Sequence, residues 1–263
     1  MFDTNNIFIT LFTVPILNVL IALYKALIFV GVPGALGFAL IILTGLIRLC
    51  LYPLTAIQLK SSHKLSKVKP ELDRLAVQYK DDKLRLQQEQ LKLYKEAGIN
   101  PAAGCLPLLL QLPILIAIYN LFFQLLNTQD IAKTVDEINK VLYFPLLKIS
   151  SLNLSFFGLN LAQKPSEWQK IGWWLLFVPV ITALLQYWQT KAMTSVAPDN
   201  KTTPQPKSSE DFSQTMQKQM AIMMPLMIGF FSYSFPIGLA LYWNTFTVFG
   251  IIQQHQISKK MKK

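Results

Sequence analysis

Long apolar stretches with almost no charged residues dominate the chain and predict membrane-spanning helices. Residues 101–129 and 171–190 contain no Asp, Glu, Lys or Arg, and residues 33–59 contain only one charge, Arg48. A helix needs about 20 mostly apolar residues to cross the hydrocarbon of a bilayer, so each stretch is long enough for one crossing. Because lipid offers the backbone no hydrogen-bond partner and the stretches are continuously apolar rather than alternating, we predict helices and not strands.

A fourth uncharged stretch, residues 219–258, is too long for a single crossing. It is interrupted by Phe235-Pro236-Ile237-Gly238, where proline and glycine favour a tight turn between two helices. We therefore predict an all-α integral membrane protein with five transmembrane helices, over residues 33–59, 101–128, 171–192, 218–236 and 237–257.

The N-terminal segment, residues 1–32, could either cross the membrane or lie on it. Residues 4–24 carry no charge and are long enough for a sixth span. However, Asn18, Ala22 and Lys25 share one face of a helix, as in amphipathic helices that lie along the membrane interface. We interpret residues 1–32 as an N-terminal interfacial helix, with the sixth span as the alternative.

The charged connections predict the orientation of the chain. Residues 60–100 contain ten Lys or Arg residues, which marks them as cytoplasmic, and their apolar residues recur at helical spacing, which indicates a helical hairpin. Residues 193–217 are rich in Pro, Ser and Thr and are predicted to be a flexible cytoplasmic linker. Residues 258–263 form a basic cytoplasmic tail. Residues 129–170 are then an extracytoplasmic loop, and the N-terminus lies outside.

The composition favours a membrane protein over a soluble nucleic-acid-binding protein. Hydrophobic residues make up 52% of the chain and charged residues 15%, although the net charge is +11. Soluble domains carry about 25% charged residues. The motifs GxxxxGK[ST], HExxH and GxSxG are absent, and the two cysteines lack the spacing of a metal site. We therefore expect no enzymatic activity, no catalytic residue, no metal, no cofactor and no DNA partner.

Arg48 is the most informative residue because it lies inside a predicted span. An arginine at the centre of a membrane helix costs about 2.5–3.5 kcal/mol on insertion scales, and no Asp or Glu in a predicted span is available to pair with it. Its guanidinium must therefore face water, lipid phosphate or another polar group. We favour a water-filled cavity open to the cytoplasm, with snorkelling towards the inner headgroups as the alternative. Thr44 lies one turn earlier on the same helix face.

Three ordered strings resemble the YidC/Oxa/Alb family of membrane protein insertases, in its short bacterial form. They are IRLCLYPLT, then KPELDRLAVQYKDDKLRLQQEQLKLYKEAGINPAAGCLPLLLQLPILIAIY, then MMPLMIGFFSYSFPIGLALYW followed by IIQQ. Each string alone is a weak signal, but their combination and order are specific. The resemblance extends over roughly residues 15–257.

This resemblance implies an insertase and chaperone of the bacterial cytoplasmic membrane. Family members contain a hydrated groove within the membrane that is open to the cytosol and to lipid and closed to the outside. The groove's positive charge falls on Arg48, and the substrate-contacting positions fall on Thr44, Gln189 and Trp243. The implied partners are nascent membrane proteins, with the Sec translocon, the ribosome, a targeting receptor and anionic lipids as further expected partners.

Two other functions remain open from the sequence. Arg48 could be the selectivity charge of an anion channel or a small-solute transporter. The basic residues 60–97 could instead be a nucleic-acid-binding module attached to the membrane. The absence of an intramembrane carboxylate or an internal repeat disfavours the transporter, and the absence of an Arg-rich face or a pair of stacking aromatic residues disfavours the nucleic-acid module.

Overall fold

The computed structural model describes residues 6–98, 106–126, 131–194 and 210–261. Most of the predicted linker, residues 193–217, and the end of the predicted basic tail lie outside the described residues. Within the described ranges the chain is mostly helical, and the longest segment without an α-helix is residues 142–167. The α-helices are α1 (Val14–Phe29), α2 (Ala35–Cys50), α3 (Tyr52–Gln78), α4 (Lys83–Glu96), α5 (Leu106–Leu126), α6 (Ile131–Val141), α7 (Trp168–Ile171), α8 (Phe177–Thr194), α9 (Glu210–Ser234) and α10 (Ile237–Met261).

The predicted span over residues 33–59 consists of two helices rather than one. α2 ends at Cys50 and α3 begins at Tyr52, with a bend of 56° between them. Pro53 lies in the first turn of α3, where its missing N–H needs no partner. α3 therefore supplies both the end of the predicted span and the first arm of the predicted hairpin. The second arm is α4, whose first turn is capped by the Asp82 side chain accepting from the backbone N–H of Arg85 at 3.0 Å.

By length and apolar composition, one continuous helix among the described residues is suited to cross a membrane. It is Ile9–Phe29, in which a π-helical turn over Ile9–Thr13 leads into α1. α2 with the first part of α3 also suffices when the bent pair is taken as one span, whereas Leu112–Phe123 and Ala221–Ser234 are apolar but shorter. The count of five spans therefore stays a prediction.

The bundle is centred on α10, which contacts both α2 and α8. α8 in turn contacts α9, and α1 contacts α2. Because the apolar stretches carry large aliphatic and aromatic residues on most faces, the contacts form one continuous core. Its largest fully buried side chains include Tyr24, Leu40, Phe122 and Tyr242. Side chains from α2, α8 and α10 meet in this arrangement, and the candidate site lies where they do.

Residues 131–171, which we call the outer cap after their predicted extracytoplasmic position, contain regular structure and are not a simple loop. They contain α6, α7 and a two-stranded antiparallel pair, β1 (Ser155–Phe156) and β2 (Leu159–Asn160). The cap is tied to the start of α10: the N–H of Ile237 donates to the carbonyl of Gln163, and that of Gly238 to the carbonyl of Leu161, each at 2.8 Å. These bonds satisfy N–H groups that the first turn of a helix leaves without an internal partner.

The polar face of α1 binds the outer cap. The Asn18 side chain donates to the carbonyl of Val141 at 3.1 Å and accepts from the N–H of Tyr143 at 2.7 Å. Lys25 Nζ donates to the carbonyls of Leu146 and Lys148 at 2.5 and 2.9 Å. Of the three residues that suggested an interfacial helix, the two strongly polar ones therefore contact protein backbone.

Strand β1 is anchored on α2 by a close aromatic contact. Gly37 has no side chain, and a Cβ built there would lie 2.1 Å from the Phe156 ring. The ring therefore fits against the α2 backbone only because residue 37 is glycine. This contact joins the outer cap to the same helix that carries Arg48.

Candidate functional site

Arg48 lies in the last turn of α2 with only 6% of its surface exposed. Its Nε and Nη2 atoms donate to the main-chain carbonyl of Phe246 on α10, at 3.0 and 2.7 Å. The guanidinium carbon also lies 3.4 Å from the centroid of the Phe246 ring. The polar group that the sequence required is therefore a backbone carbonyl, supplemented by a cation–π contact. The side chain packs against α10, so both the water-filled cavity and the snorkelling expected from the sequence stay predictions.

Gly250, one turn after Phe246 on α10, provides the room for the guanidinium. A Cβ at this position would lie 2.5 Å from Nη2 of Arg48 and 2.7 Å from Nε2 of Gln189. The glycine thus marks the point where α2, α8 and α10 approach each other. It also brings together Arg48 and Gln189, two of the four predicted site residues.

Gln253 completes the contact between α2 and α10. Its side-chain amide donates to the main-chain carbonyl of Arg48 at 3.1 Å. Carbonyls in the last turn of a helix lack an internal partner, so Gln253 satisfies a group at the end of α2. Arg48 therefore donates hydrogen bonds to α10 through its side chain and accepts one from α10 through its main-chain carbonyl. We call Arg48, Gln189, Phe246, Gly250 and Gln253 the Arg48 site.

The other two predicted residues are Thr44, four residues before Arg48, and Trp243, three residues before Phe246. Their hydrogen-bond partners lie outside the Arg48 site. Thr44 is fully buried, and its hydroxyl donates to the carbonyl of Leu40 in the same helix at 2.6 Å. Trp243 is half-buried, and its indole N–H donates to the side-chain carbonyl of Gln186 on α8 at 3.1 Å. The structure therefore brings Arg48 and Gln189 together at Gly250, whereas Trp243 lies seven residues, or about two helical turns, before Gly250 on α10.

A cavity of about 330 Å³ lies among α5, α8, α9 and α10. Trp243 lines it, but Arg48, Thr44 and Gln189 do not. Its walls are apolar except near Thr182 and Ser232, whose hydroxyl oxygens lie 3.3 Å apart. The cavity is lined by Leu115, Ile116, Tyr119, Thr182, Ile228, Phe231, Ser232, Phe235, Leu239, Ala240 and Trp243. The predicted residues are thus divided between a polar site and an apolar cavity.

Buried amide groups near the Arg48 site have no hydrogen-bond partner among the described residues. They are both polar atoms of the Gln254 side chain and the side-chain oxygen of Gln253. Gln254 is 4% exposed. Leaving such a group unsatisfied costs about 1–3 kcal/mol, and proteins usually satisfy buried amides with ordered water. This part of α10 is therefore buried and polar, with amide atoms that the described residues leave unpaired.

Sequence reasoning identified the cation but missed the groups that hold it. Phe246, Gly250 and Gln253 lie in an uncharged stretch where phenylalanine, glycine and glutamine have ordinary explanations in a membrane helix. A backbone carbonyl has no sequence signature at all. Among the described residues, no group of three His, Cys, Asp or Glu side chains is placed to hold a metal ion.

Comparison with known proteins relates the chain to one family. The family model described as 60Kd inner membrane protein matches residues 28–263. The membrane protein insertase YidC of Rickettsia felis is 32% identical over 241 residues, which cover 90% of this chain and 38% of that protein. The YidC of Rickettsia typhi is 30% identical over 240 residues with the same coverage. The chain thus spans well under half the length of these curated relatives.

A solved structure also has the same fold. A crystal structure of an active YidC insertase with its first transmembrane domain resolved matches 95% of this chain and 46% of that chain, with a TM-score of 0.51 and 24% sequence identity. The family match covers nearly the whole chain, including every residue of the Arg48 site. The chain therefore belongs to the 60Kd inner membrane protein family, which is the YidC/Oxa/Alb family that its sequence resembles.

Proposed function

We propose that this chain is a membrane protein insertase and chaperone that moves nascent membrane proteins from the cytoplasm into the bilayer. The observation that carries the proposal is the charge of Arg48, which is buried among helices and is held by a carbonyl and an aromatic ring, with no ion pair to a carboxylate among the described residues. Such a charge is expensive to keep in a membrane unless it acts on something. Because the chain belongs to the same family as membrane protein insertases, we propose that the Arg48 charge acts on a substrate polypeptide.

The physical problem in insertion is the polar tail of the substrate. A hydrophobic helix is stable in lipid, but dragging its polar flank through hydrocarbon leaves backbone and side-chain groups without hydrogen-bond partners. A hydrated groove that reaches part of the way across shortens the dry path. The side-chain oxygen of Gln253 and the amide of Gln254, which have no hydrogen-bond partner among the described residues, support a groove that can take up water in this region.

Arg48 is proposed to attract the acidic residues of a substrate tail. The Phe246 carbonyl holds the guanidinium without neutralising its charge, so the guanidinium still attracts a carboxylate. An inside-negative membrane potential then favours outward movement of an acidic group by about 2.3 kcal/mol per charge per 100 mV. No covalent bond is made or broken in this mechanism.

The apolar cavity is proposed to contact the hydrophobic part of the substrate. Its walls come from four helices, and half-buried Trp243 lies between the cavity and the polar part of α8 that carries Gln186. The outer cap is bonded to the start of α10 above it, which supports a groove closed to the outside. The substrate helix would leave sideways into lipid.

The topology is proposed to be that expected from the charges, with the hairpin (residues 60–100) inside and the outer cap outside. The contacts of α1 support an interfacial position for this helix. Irregular backbone does not lie in lipid, yet Asn18 and Lys25 bind the irregular segment that follows α6. Among the described residues, this leaves residues 7–17 of the helix for a crossing, and about 20 are needed.

The remaining partners are proposed on the basis of charge and family. The hairpin helices α3 and α4 are rich in lysine and suit contact with anionic lipid headgroups. We propose three further partners for the same cytoplasmic face: a ribosome, a targeting receptor and the Sec translocon.

Crosslinking tests the proposal directly. A photoreactive amino acid is placed at position 48, with one in the outer cap at exposed Phe157 as control, and a ribosome-stalled membrane protein is supplied. Crosslinks to the nascent chain are expected at position 48 and not at position 157. Absence of crosslinks at position 48, or steady anion flux through purified protein without substrate, would contradict the proposal.

A further inference from the structure

Gly250 occupies a place where glycine is unfavourable for the helix. Glycine inside a helix is about 1 kcal/mol less favourable than alanine, and Gly250 lies in the middle of α10 without the left-handed backbone that would require it. The residue is also buried. An explanation for the glycine must therefore come from its neighbours.

The neighbours of Gly250 are the functional ends of two side chains. A Cβ there would lie 2.5 Å from Nη2 and 3.1 Å from Cζ of Arg48, and 2.7 Å from Nε2 of Gln189. Contacts below 3.0 Å essentially never occur for real Cβ atoms. Even alanine would therefore force the guanidinium and the amide away. Both are ends of flexible side chains, so they are able to move without unfolding the bundle.

We propose that Gly250 is a positioning residue that keeps Arg48 docked on the Phe246 carbonyl. This inference rests on the proposed function, because it concerns how tightly Arg48 binds the acidic residues of a substrate. A carboxylate of a substrate tail must compete with the carbonyl that Nε and Nη2 already contact. Docking therefore weakens the hold on acidic tails and allows them to be released outwards. A side chain at position 250 displaces the guanidinium from the Phe246 carbonyl, so Arg48 binds the carboxylates of the substrate more tightly.

Chemical modification of arginine measures docking without measuring insertion. The chain contains three arginines, and Arg74 and Arg85 are exposed on the hairpin helices. Phenylglyoxal modification in proteoliposomes, quantified by mass spectrometry, is expected to spare Arg48 in the wild-type protein. In Gly250→Ala the rate at Arg48 should rise at least about tenfold relative to Arg74 and Arg85, since a hydrogen bond to a charged group is worth that factor or more.

Gly45→Ala is the matched control. It adds the same methyl group between α2 and α10, but the nearest atoms to that methyl are those of the Phe249 ring, at 3.3 Å and beyond. Arg48 should stay protected in this variant. Continued protection of Arg48 in Gly250→Ala would overturn the proposal, and so would equal exposure in Gly45→Ala, because the effect would then be a general loosening of the two helices.

A second measurement connects docking to substrate release. Insertion is timed for two substrates that differ only in having Asp or Asn in the translocated tail. Gly250→Ala should slow the Asp substrate several fold and leave the Asn substrate unchanged, whereas equal effects on both would contradict the role in release. If the wild-type protein inserts neither substrate, the proposed function fails, but the modification result still decides whether Gly250 positions Arg48.

Discussion

The side-chain amide of Gln253 donates to the main-chain carbonyl of Arg48, while the Arg48 side chain donates to a carbonyl on the helix that carries Gln253. This reciprocal contact joins α2 to α10 immediately before the 56° bend that leads into α3. The bond from Gln253 thus stabilises the end of the helix that carries Arg48. It also links α10 to the point where α2 is followed by α3.

Replacing Gln253 by leucine is expected to destabilise the protein by about 1 kcal/mol. The substitution keeps most of the side-chain volume but leaves the Arg48 carbonyl without its donor, and buried unsatisfied groups carry a cost of this order. Thermal unfolding in detergent or nanodiscs checks the prediction. The control is Gln256→Leu, at an exposed position on the same helix, which should leave the melting temperature unchanged. Equal melting temperatures for both variants would show that the bond contributes nothing.

Replacing Asn18 by leucine should loosen the outer cap from α1. The Asn18 amide bonds the backbone of Val141 and Tyr143, and a leucine of similar size removes both of these half-buried hydrogen bonds, at about 0.5–1.5 kcal/mol each. Protease added from the outside should cut the segment after α6 faster than in the wild-type protein. Exposed Val19 provides the control substitution, Val19→Ala. Unchanged cleavage of Asn18→Leu would mean that the contact does not hold the cap.

The contact between Gly37 and Phe156 should behave as a coupled pair. Gly37→Ala places a methyl group within the Phe156 ring and is expected to cost about 1–3 kcal/mol by overpacking. Truncating the ring in Phe156→Ala removes that clash, so the double variant should be more stable than the sum of the two single effects predicts. Additive effects in a double-mutant cycle of unfolding free energies would contradict this contact.

The position of α1 in the membrane can be tested by cysteine labelling. With Cys50 and Cys105 replaced by serine, a single cysteine at Thr4 should react with an impermeant maleimide added from the outside, because an interfacial helix leaves both of its ends on that side. A cysteine at exposed Gln78 on the hairpin should react only from the inside. Labelling of the Thr4 cysteine only from the inside would establish a sixth span.

The sequence predicted those parts of the fold that depend on long uninterrupted patterns. The turn between α9 and α10 lies at Pro236 as predicted, because proline and glycine act locally on the backbone. The break between α2 and α3 at Leu51 was not predicted, since both flanking stretches are equally apolar and Pro53 is compatible with the first turn of a helix. Tertiary contacts, including the bond from Gln253, favour the bend there.

The candidate site was only partly predictable, because the tertiary contacts that hold Arg48 leave no pattern in the sequence. Arg48 was identified because a charge in an apolar stretch has a cost that composition reveals. Its actual partner, the Phe246 carbonyl, could not be identified because every residue has such a carbonyl. Gly250 became informative only when the structure brought the Arg48 guanidinium against it. The role predicted for Asn18 at the membrane interface likewise did not anticipate that its side chain binds the outer cap.

The central claim, that the Arg48 charge assists transfer of acidic substrate tails, is tested most directly by insertion into reconstituted vesicles. Wild-type, Arg48→Ala and Arg48→Lys proteins are compared on two substrates whose tails differ only in having Asp or Asn. We predict that Arg48→Ala slows the Asp substrate about tenfold, equivalent to roughly 1.4 kcal/mol of activation free energy, while the Asn substrate is unaffected and Arg48→Lys retains most of the activity. Equal insertion of both substrates by all three proteins would contradict the claim.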